Sequence, residues 1–351
     1  MTMARIAAAA LFALAWLGAA PAAWPQANAA GNEATFSYRG ADRAERLLEK
    51  ARHEGSVVVY TSLAPAESTA LAQAFEKKYA IKVELWRAVS EKVLSRTLTE
   101  ARGKRYTVDV IETNAMPELE IMAREKLLSG FYSPHVEDLP PFAVPAHRQW
   151  ISDRMQFFVV AYNTTKVARE DLPKAYEGFI DPKWKGKLGI EANDAAWFAT
   201  IVKLRGGAPG MALFEKLGEM RPDVRKGHIL LAELVAAGEI PVALTIYNSH
   251  AEALKKRGAP IDWVAIDPVI ALPQAIAVAR HAPHPNAALL FVDFVLSPEG
   301  QQLFAKMGRV PVSLGVKTRL NDFPYTLMDP AATLDESAKW EKAWEELFIK
   351  R

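Results

Sequence analysis

The stretch SVVVYTSLAPAESTALAQAFEKKYAIKVELWRAVSEKVLSRTLTEARGKRYTVDVIET, residues 56–113, decides the fold class. Its first six residues, SVVVYT, are an unbroken β-branched and aromatic run, the pattern of a strand buried on both faces in a parallel sheet. Leu71, Ala74, Phe75 and Lys78 then recur at spacings of three and four, which predicts a helix over 66–79. IKVELW, 81–86, alternates as a strand. Ser90 is placed to cap a helix over 91–102, and VDVIE, 108–112, reads as a third strand. Strand, helix, strand, helix, strand in this order predicts an α/β unit on a mostly parallel sheet. Working outward, a helix over 43–54 ends at Gly55, and another follows over 116–127.

The chain ends differ from this body. Arg5 precedes an apolar run over 6–20 that is short for a bilayer span, followed by small-residue cleavage options at Ala20-Pro21-Ala22 and Ala27-Asn28-Ala29. Residues 1–29 therefore read as a secretory signal peptide, and a periplasmic protein is expected. There is no cysteine, which excludes disulfides, thiolate metal sites and lipid attachment at an N-terminal Cys. Residues 26–37 are small and polar and predict a loose start to the mature chain. Removing the signal leaves about 320 residues, enough for two lobes of ordinary size. The 43 basic and 41 acidic side chains nearly cancel, so no field for nucleic acid or anionic lipid is expected.

The middle of the chain reads as a Pro- and His-rich surface excursion over 129–149, then a strand MQFFVVAY over 155–162. Further strands are expected over 187–191, 240–247, 261–266 and 274–279. Helices are expected over 194–204, with Asp194 as cap, and over 211–220, 230–237, 286–296 and 298–307. The tail, 335–348, predicts an amphipathic helix with Trp340, Trp344 and Leu347 on its packing face. His281 and His284 are flanked by Pro283 and Pro285, so they do not share a helix face and no zinc pair is expected. The glycines of 206–210 lack the Lys-Ser/Thr of a phosphate loop.

Taken with MQFFVVAYNTTKV (155–167), EIPVALTIYNSHAE (239–252) and above all SPEGQQLFAKMGRVPV (297–312), the opening stretch resembles the type 2 periplasmic solute-binding proteins of ABC importers. Within these it is similar to the group of ferric-ion, thiamine and phosphonate binders. The resemblance implies a two-lobed α/β protein, each lobe a mostly parallel sheet flanked by helices, with a small-molecule ligand in the cleft between lobes. It implies lobe 1 from 30–154 and 270–313, lobe 2 from 155–269, and a C-terminal helical segment, 314–351, packing on the lobes. The implied partner is an inner-membrane permease. The protein is expected to be a monomer, not an enzyme, and without cofactor or metal. An exported hydrolase is the rival, but no G-x-S-x-G, H-E-x-x-H or Cys nucleophile is present. A sensor on the same fold is a second rival.

Ligands of open α/β sheets sit outside the carboxyl ends of strands. That rule nominates Thr61 and Ser62, Arg87, Glu112 and Asn114, Glu191 and Asn193, and Tyr247 with Asn248. Each is equally able to serve as an ordinary turn or cap. Arg87 with the helix start at Ser90 suggests a site for an anionic group, because a guanidinium fork joins free backbone N–H groups. Glu112, Glu191 and Asp194 would instead favour a cationic ligand. The ferric members of the family use a His after the first strand, a Glu after the third and two adjacent Tyr in the second lobe. Here Thr61-Ser62-Leu63-Ala64-Pro65 has no His and Tyr247 is followed by Asn248, so that iron set is not expected.

Overall fold

The computed structural model describes residues 29–350. The signal peptide expected over residues 1–29 lies outside the described residues save for Ala29, which opens a helix. The strands in chain order are β1 Ser56–Thr61, β2 Lys82–Arg87, β3 Val110–Thr113, β4 Leu128–Ser129, β5 Ile151–Asn163, β6 Leu188–Glu191, β7 Asp223–Arg225, β8 Val242–Tyr247, β9 Ile261–Val264, β10 Ile270–Ala279, β11 Val310–Pro311 and β12 Thr326–Leu327. They follow one another as β2-β1-β3-β10-β5-β8-β6-β7, with β4 and β12 on β10 and with β9 and β11 on β5. β1 pairs in parallel with β2 and β3, as the opening stretch predicts. β6 pairs in parallel with β7 and β8. The two parallel sets are joined by β5 and β10, which run antiparallel to each other.

β5 is the element that makes one molecule of two halves. All thirteen of its residues are buried. Its first half pairs with β10, and from Phe158 onward it pairs with β8 and β9. One apolar core gathers around Val57, Phe75, Ile111, Phe291 and Phe294. A second gathers around Trp197, Phe198, Phe214 and Trp344. A smaller cluster with Met155, Phe157, Val159, Val269 and Val310 lies at the crossing.

The segment SPEGQQLFAKMGRVPV has a physical reason for each of its key residues. Ser297 caps helix Pro298–Lys306 by accepting from Gly300 N at 3.3 Å. A Cβ on Gly300 would sit 2.6 Å from the Val295 carbonyl oxygen, so the turn closes only on glycine. Gln301, fully buried, donates to the carbonyls of Asp153 and Val295 and accepts from Val312 N and Ser313 N. Its amide thus stitches the helix to β5 and to the end of β11.

Several expectations are corrected. Residues 26–37 are not loose where they are described. Helix Ala29–Ser37 buries Phe36 completely, and Asn32 Nδ2 donates to the carbonyls of Arg280 and Ala282. The 129–149 excursion is anchored by buried Phe131, Leu139 and Ala143. β5 begins at Ile151 rather than 155, because Asp153 and Arg154 are buried by polar pairing that an apolar pattern does not register. β10 starts at Ile270, and its Pro273 is accommodated beside a register shift at Gln274 and Ala275. His284 Nδ1 lies 2.9 Å from Asp109, while His281 stacks on Tyr106. The tail reaches both halves. Asp335, which ends helix Pro330–Asp335, pairs with Arg124 at 2.6 Å, and Trp340 and Trp344 of helix Ser337–Trp344 enter the second core.

Candidate functional site

The carboxyl ends of β1, β2 and β3 meet the start of helix Asn248–Lys256 across a cavity of about 150 Å³. Ser62, Arg87, Asn114 and Arg154 line it together with Tyr247, His250 and Arg309, and Arg309 bonds both Glu67 and Ser249. β1 and β3 end in register, Thr61 beside Glu112, so their exits share one rim.

Arg87, exposed at the end of β2, is steadied by its Nε, which donates to the Leu63 carbonyl at 3.0 Å. Among the described residues its terminal nitrogens have no hydrogen-bond or ion-pair partner. The other two guanidinium groups are engaged. Arg309 Nε donates to Glu67 at 2.7 Å and its Nη1 to Ser249 Oγ at 2.7 Å. Arg154, 1 % exposed, pairs with Asp153 at 2.9 Å and with Glu112, and donates to Asn114 Oδ1. His250 adds no charge: burial, then Arg309 and His228, holds its pKa down at about 3. Among the described residues, Arg87 is therefore the guanidinium of this cavity that no carboxylate pairs.

Sequence-predicted residues divide by where the fold places them. Ser62, Arg87, Asn114 and Tyr247 line the cavity. Thr61 and Glu112 lie under its rim: the Thr61 hydroxyl donates to the Glu112 carboxylate, which also faces Arg154. Ser62 Oγ accepts from Asn114 N at 2.7 Å, and Asn114 Nδ2 donates back to the Ser62 carbonyl at 3.0 Å. Ser90 does not cap its helix. Val89 holds the cap position, and Ser90, already the first residue inside the helix, accepts at its hydroxyl from Thr113 at 3.0 Å. Asn248 is fully buried and donates to the Leu320 carbonyl at 2.6 Å, so it secures the tail.

Glu191 and Asn193 belong to a separate group at the end of β6. Glu191 accepts from Gly227 N at 2.8 Å and from Asn193 N, which closes a turn, while Asn193 itself is exposed. Asp194 stands at the cap position but its carboxylate makes no cap hydrogen bond; it faces His228, with Nε2 to Oδ1 at 3.3 Å. His228 stacks on Tyr247 with ring centres 3.9 Å apart. Burial, with Asp194 and Glu191 nearby, pushes the Tyr247 phenol well above its ordinary pKa, so it stays a neutral donor. Arg154, Arg309, His228 and His250 were missed in sequence. No local pattern marks them, since each gains its role from partners far along the chain.

A wider hollow of about 630 Å³ lies between β9, the turn Arg169–Asp171 and the tail around Arg319. Of the charges that line it, Glu252 pairs with Arg319 and Asp262 with Lys255, while Glu170, Lys174 and Asp322 have no ion-pair partner among the described residues.

Glu118, in the first turn of helix Met116–Arg124, is pushed up to about 7, chiefly by burial and further by Glu91. The folded chain then holds this proton more tightly than the unfolded chain, so stability is present at low pH and is lost as pH rises from about 4.5 toward 7. Urea midpoints at pH 5 and 7.5 are expected to show that fall, and Glu118→Gln is expected to flatten it. An equal fall in the variant would discard the assignment.

A family model described as bacterial extracellular solute-binding protein matches residues 70–333. The major ferric iron-binding protein of Neisseria gonorrhoeae is 27% identical over 310 residues, 84% of this chain and 93% of that one. Iron uptake protein A1 of Synechocystis is 22% identical over 260 residues, 69% of this chain and 71% of that one. Among solved structures, iron-bound HitA from Pseudomonas aeruginosa superposes with a TM-score of 0.73 at 23% identity, covering 82% of this chain and 99% of that one. The periplasmic binding protein AfuA from Actinobacillus pleuropneumoniae, with fructose-6-phosphate bound, gives 0.69 at 21%, covering 84% and 98%. The fold is that of type 2 periplasmic binding proteins, and this chain belongs to the bacterial extracellular solute-binding protein family.

Proposed function

We propose that this chain is the periplasmic solute-binding component of an ABC importer and that it captures a small organic anion between its two halves. The observation that carries this reading is the free end of Arg87 in a cavity whose other guanidinium groups already hold carboxylates. The ligand's acidic group pairs with Arg87, with the Ser62 hydroxyl and Asn114 beside it. Tyr247 donates from the opposite wall. β5 and β10 cross between the halves and supply the hinge. An anion bridging both walls binds the closed form better than the open one, which shifts the population toward closure. The closed form is then what a membrane permease recognises.

The iron binding named for several relatives fits these residues less well. Glu112 is closed in its pair with Arg154, the 61–65 loop has no His, and Tyr247 is a single phenol held neutral. Fructose-6-phosphate in the AfuA structure is an organic anion on the same fold, which agrees with the anion reading.

A thermal-shift screen of carboxylates and phosphate monoesters supplies the ligand, and calorimetry of Arg87→Ala tests it. A charge-assisted hydrogen bond of this kind is worth about 1.5–3 kcal/mol, so affinity is expected to fall about ten- to a hundredfold. Unchanged affinity in a folded variant would remove Arg87 and the anion reading with it.

A further inference from the structure

We infer that Glu191, Asp194 and His228 form a binding site for one divalent transition-metal ion of the zinc class, in the wall behind Tyr247. The inference stands apart from the anion reading, since none of the three lines the Arg87 cavity. Each offers one ligand atom, and these atoms lie within 4.8 Å of one another. They come from three elements: the end of β6, the start of helix Ala195–Leu204 and the start of helix His228–Ala237.

Three features make this more than a group of acids. His228 Nδ1 lies 3.0 Å from the Thr245 carbonyl, which can only accept, so Nδ1 carries the proton. That bond turns Nε2 toward Asp194, in an ion pair whose proton a metal ion would displace to reach the lone pair, and a carbonyl on the other nitrogen is how a metal-ligating imidazole is oriented. Asp194 is only 4 % exposed, and its Oδ2 has no hydrogen-bond partner among the described residues. A buried carboxylate oxygen left this way is costly without a counter-charge. Glu191 accepts two backbone N–H bonds, yet an ionised carboxylate has about four acceptor positions, so it keeps capacity for a metal.

Two carboxylates and a neutral imidazole carry a formal charge that one divalent cation cancels. One nitrogen and two oxygens suit zinc, which takes His, Asp and Glu, better than calcium or magnesium, which prefer all-oxygen shells. Three protein ligands leave a fourth position for water. The Tyr247 ring over His228 shields the site from the cavity, so the ion ties together three loops of that wall.

The test uses the purified chain without an affinity tag, stripped with chelator and titrated with zinc chloride in the absence of any organic solute. One saturable site per chain is expected. Asp194→Asn and His228→Gln keep the shape of each side chain, and each is expected to weaken binding by at least about tenfold. Cobalt(II) is expected to give a visible absorption band that is lost in both variants. No saturable zinc site in the unaltered chain, or undiminished affinity in both folded variants, would overturn the proposal. Because no organic solute is present, either result leaves the Arg87 experiment to be judged by itself.

Discussion

Replacing Arg154 by methionine is expected to cost about 3–5 kcal/mol of folding stability. The substitution keeps an aliphatic side chain of similar reach but takes the cation out of a closed network. Asp153 is fully buried and Glu112 is 2 % exposed, and both face the Arg154 guanidinium. Asn114 Oδ1 accepts from it as well. Without Arg154, two carboxylates lie close together in a dry interior with no counter-charge. The penalty comes from that uncompensated burial rather than from the intrinsic worth of an ion pair, which is small once desolvation is counted. This explanation has a check within it. In a background carrying Glu112→Gln and Asp153→Asn, the same Arg154→Met change is expected to cost much less, because the charges it would strand are gone. Urea unfolding of the four proteins measures the difference. A cost below about 1 kcal/mol in the unaltered background would show that the network does not hold β3 to β5.

Trp344→Ala is expected to cost about 3–5 kcal/mol, the range for truncating a buried Trp or Phe. Trp344 is 2 % exposed and packs with Phe348 at 4.5 Å, Phe198 at 5.7 Å and Trp197 at 6.4 Å between ring centres. Its Nε1 donates to the Ala192 carbonyl at 2.7 Å. Two contributions are therefore lost together: the ring's volume in the second core, and the partner of a carbonyl beside Glu191. Trp344→Phe separates them. It restores most of the ring but leaves the carbonyl unpaired, so it is expected to cost about 1–3 kcal/mol. Chemical denaturation read by circular dichroism measures both variants. If Ala and Phe cost the same, the hydrogen bond rather than the packing holds the tail. If neither costs more than about 1 kcal/mol, the tail is a surface appendage rather than part of the second core.

The α/β class, the parallel first sheet and the element order were legible in the chain. The reason is local: SVVVYT is too apolar to lie anywhere but inside a sheet, and Leu71, Ala74 and Phe75 repeat with the helix period. Gly55 and Gly238 ended their helices as expected, and each takes the left-handed conformation that glycine reaches without strain. The packing role of Trp340 and Trp344 was also readable from their spacing. The cavity was half legible, since strand exits nominate residues by position alone, and Ser62, Arg87, Asn114 and Tyr247 were found that way.

What the chain alone left open were the partners, and partners decide the chemistry. Glu112 was nominated by its strand exit alone, and in the fold Arg154, forty-two positions later, pairs with it. Ser90 and Asp194 carried good capping side chains, yet Ser90 falls one position inside its helix and meets Thr113, and Asp194 meets His228. Asp153 and Arg154 near the start of β5 escaped an apolar pattern because charge pairing, not hydrophobicity, buries them. Arg87 is marked by the opposite outcome. It ends a strand as many arginines do, and only the folded arrangement, in which Arg154 and Arg309 are taken and Arg87 is not, distinguishes it. Sequence periodicity determined which segments are buried, because burial of apolar side chains is a property each segment carries by itself. Tertiary structure decided which polar groups remain free, because that depends on contacts between residues far apart in the chain.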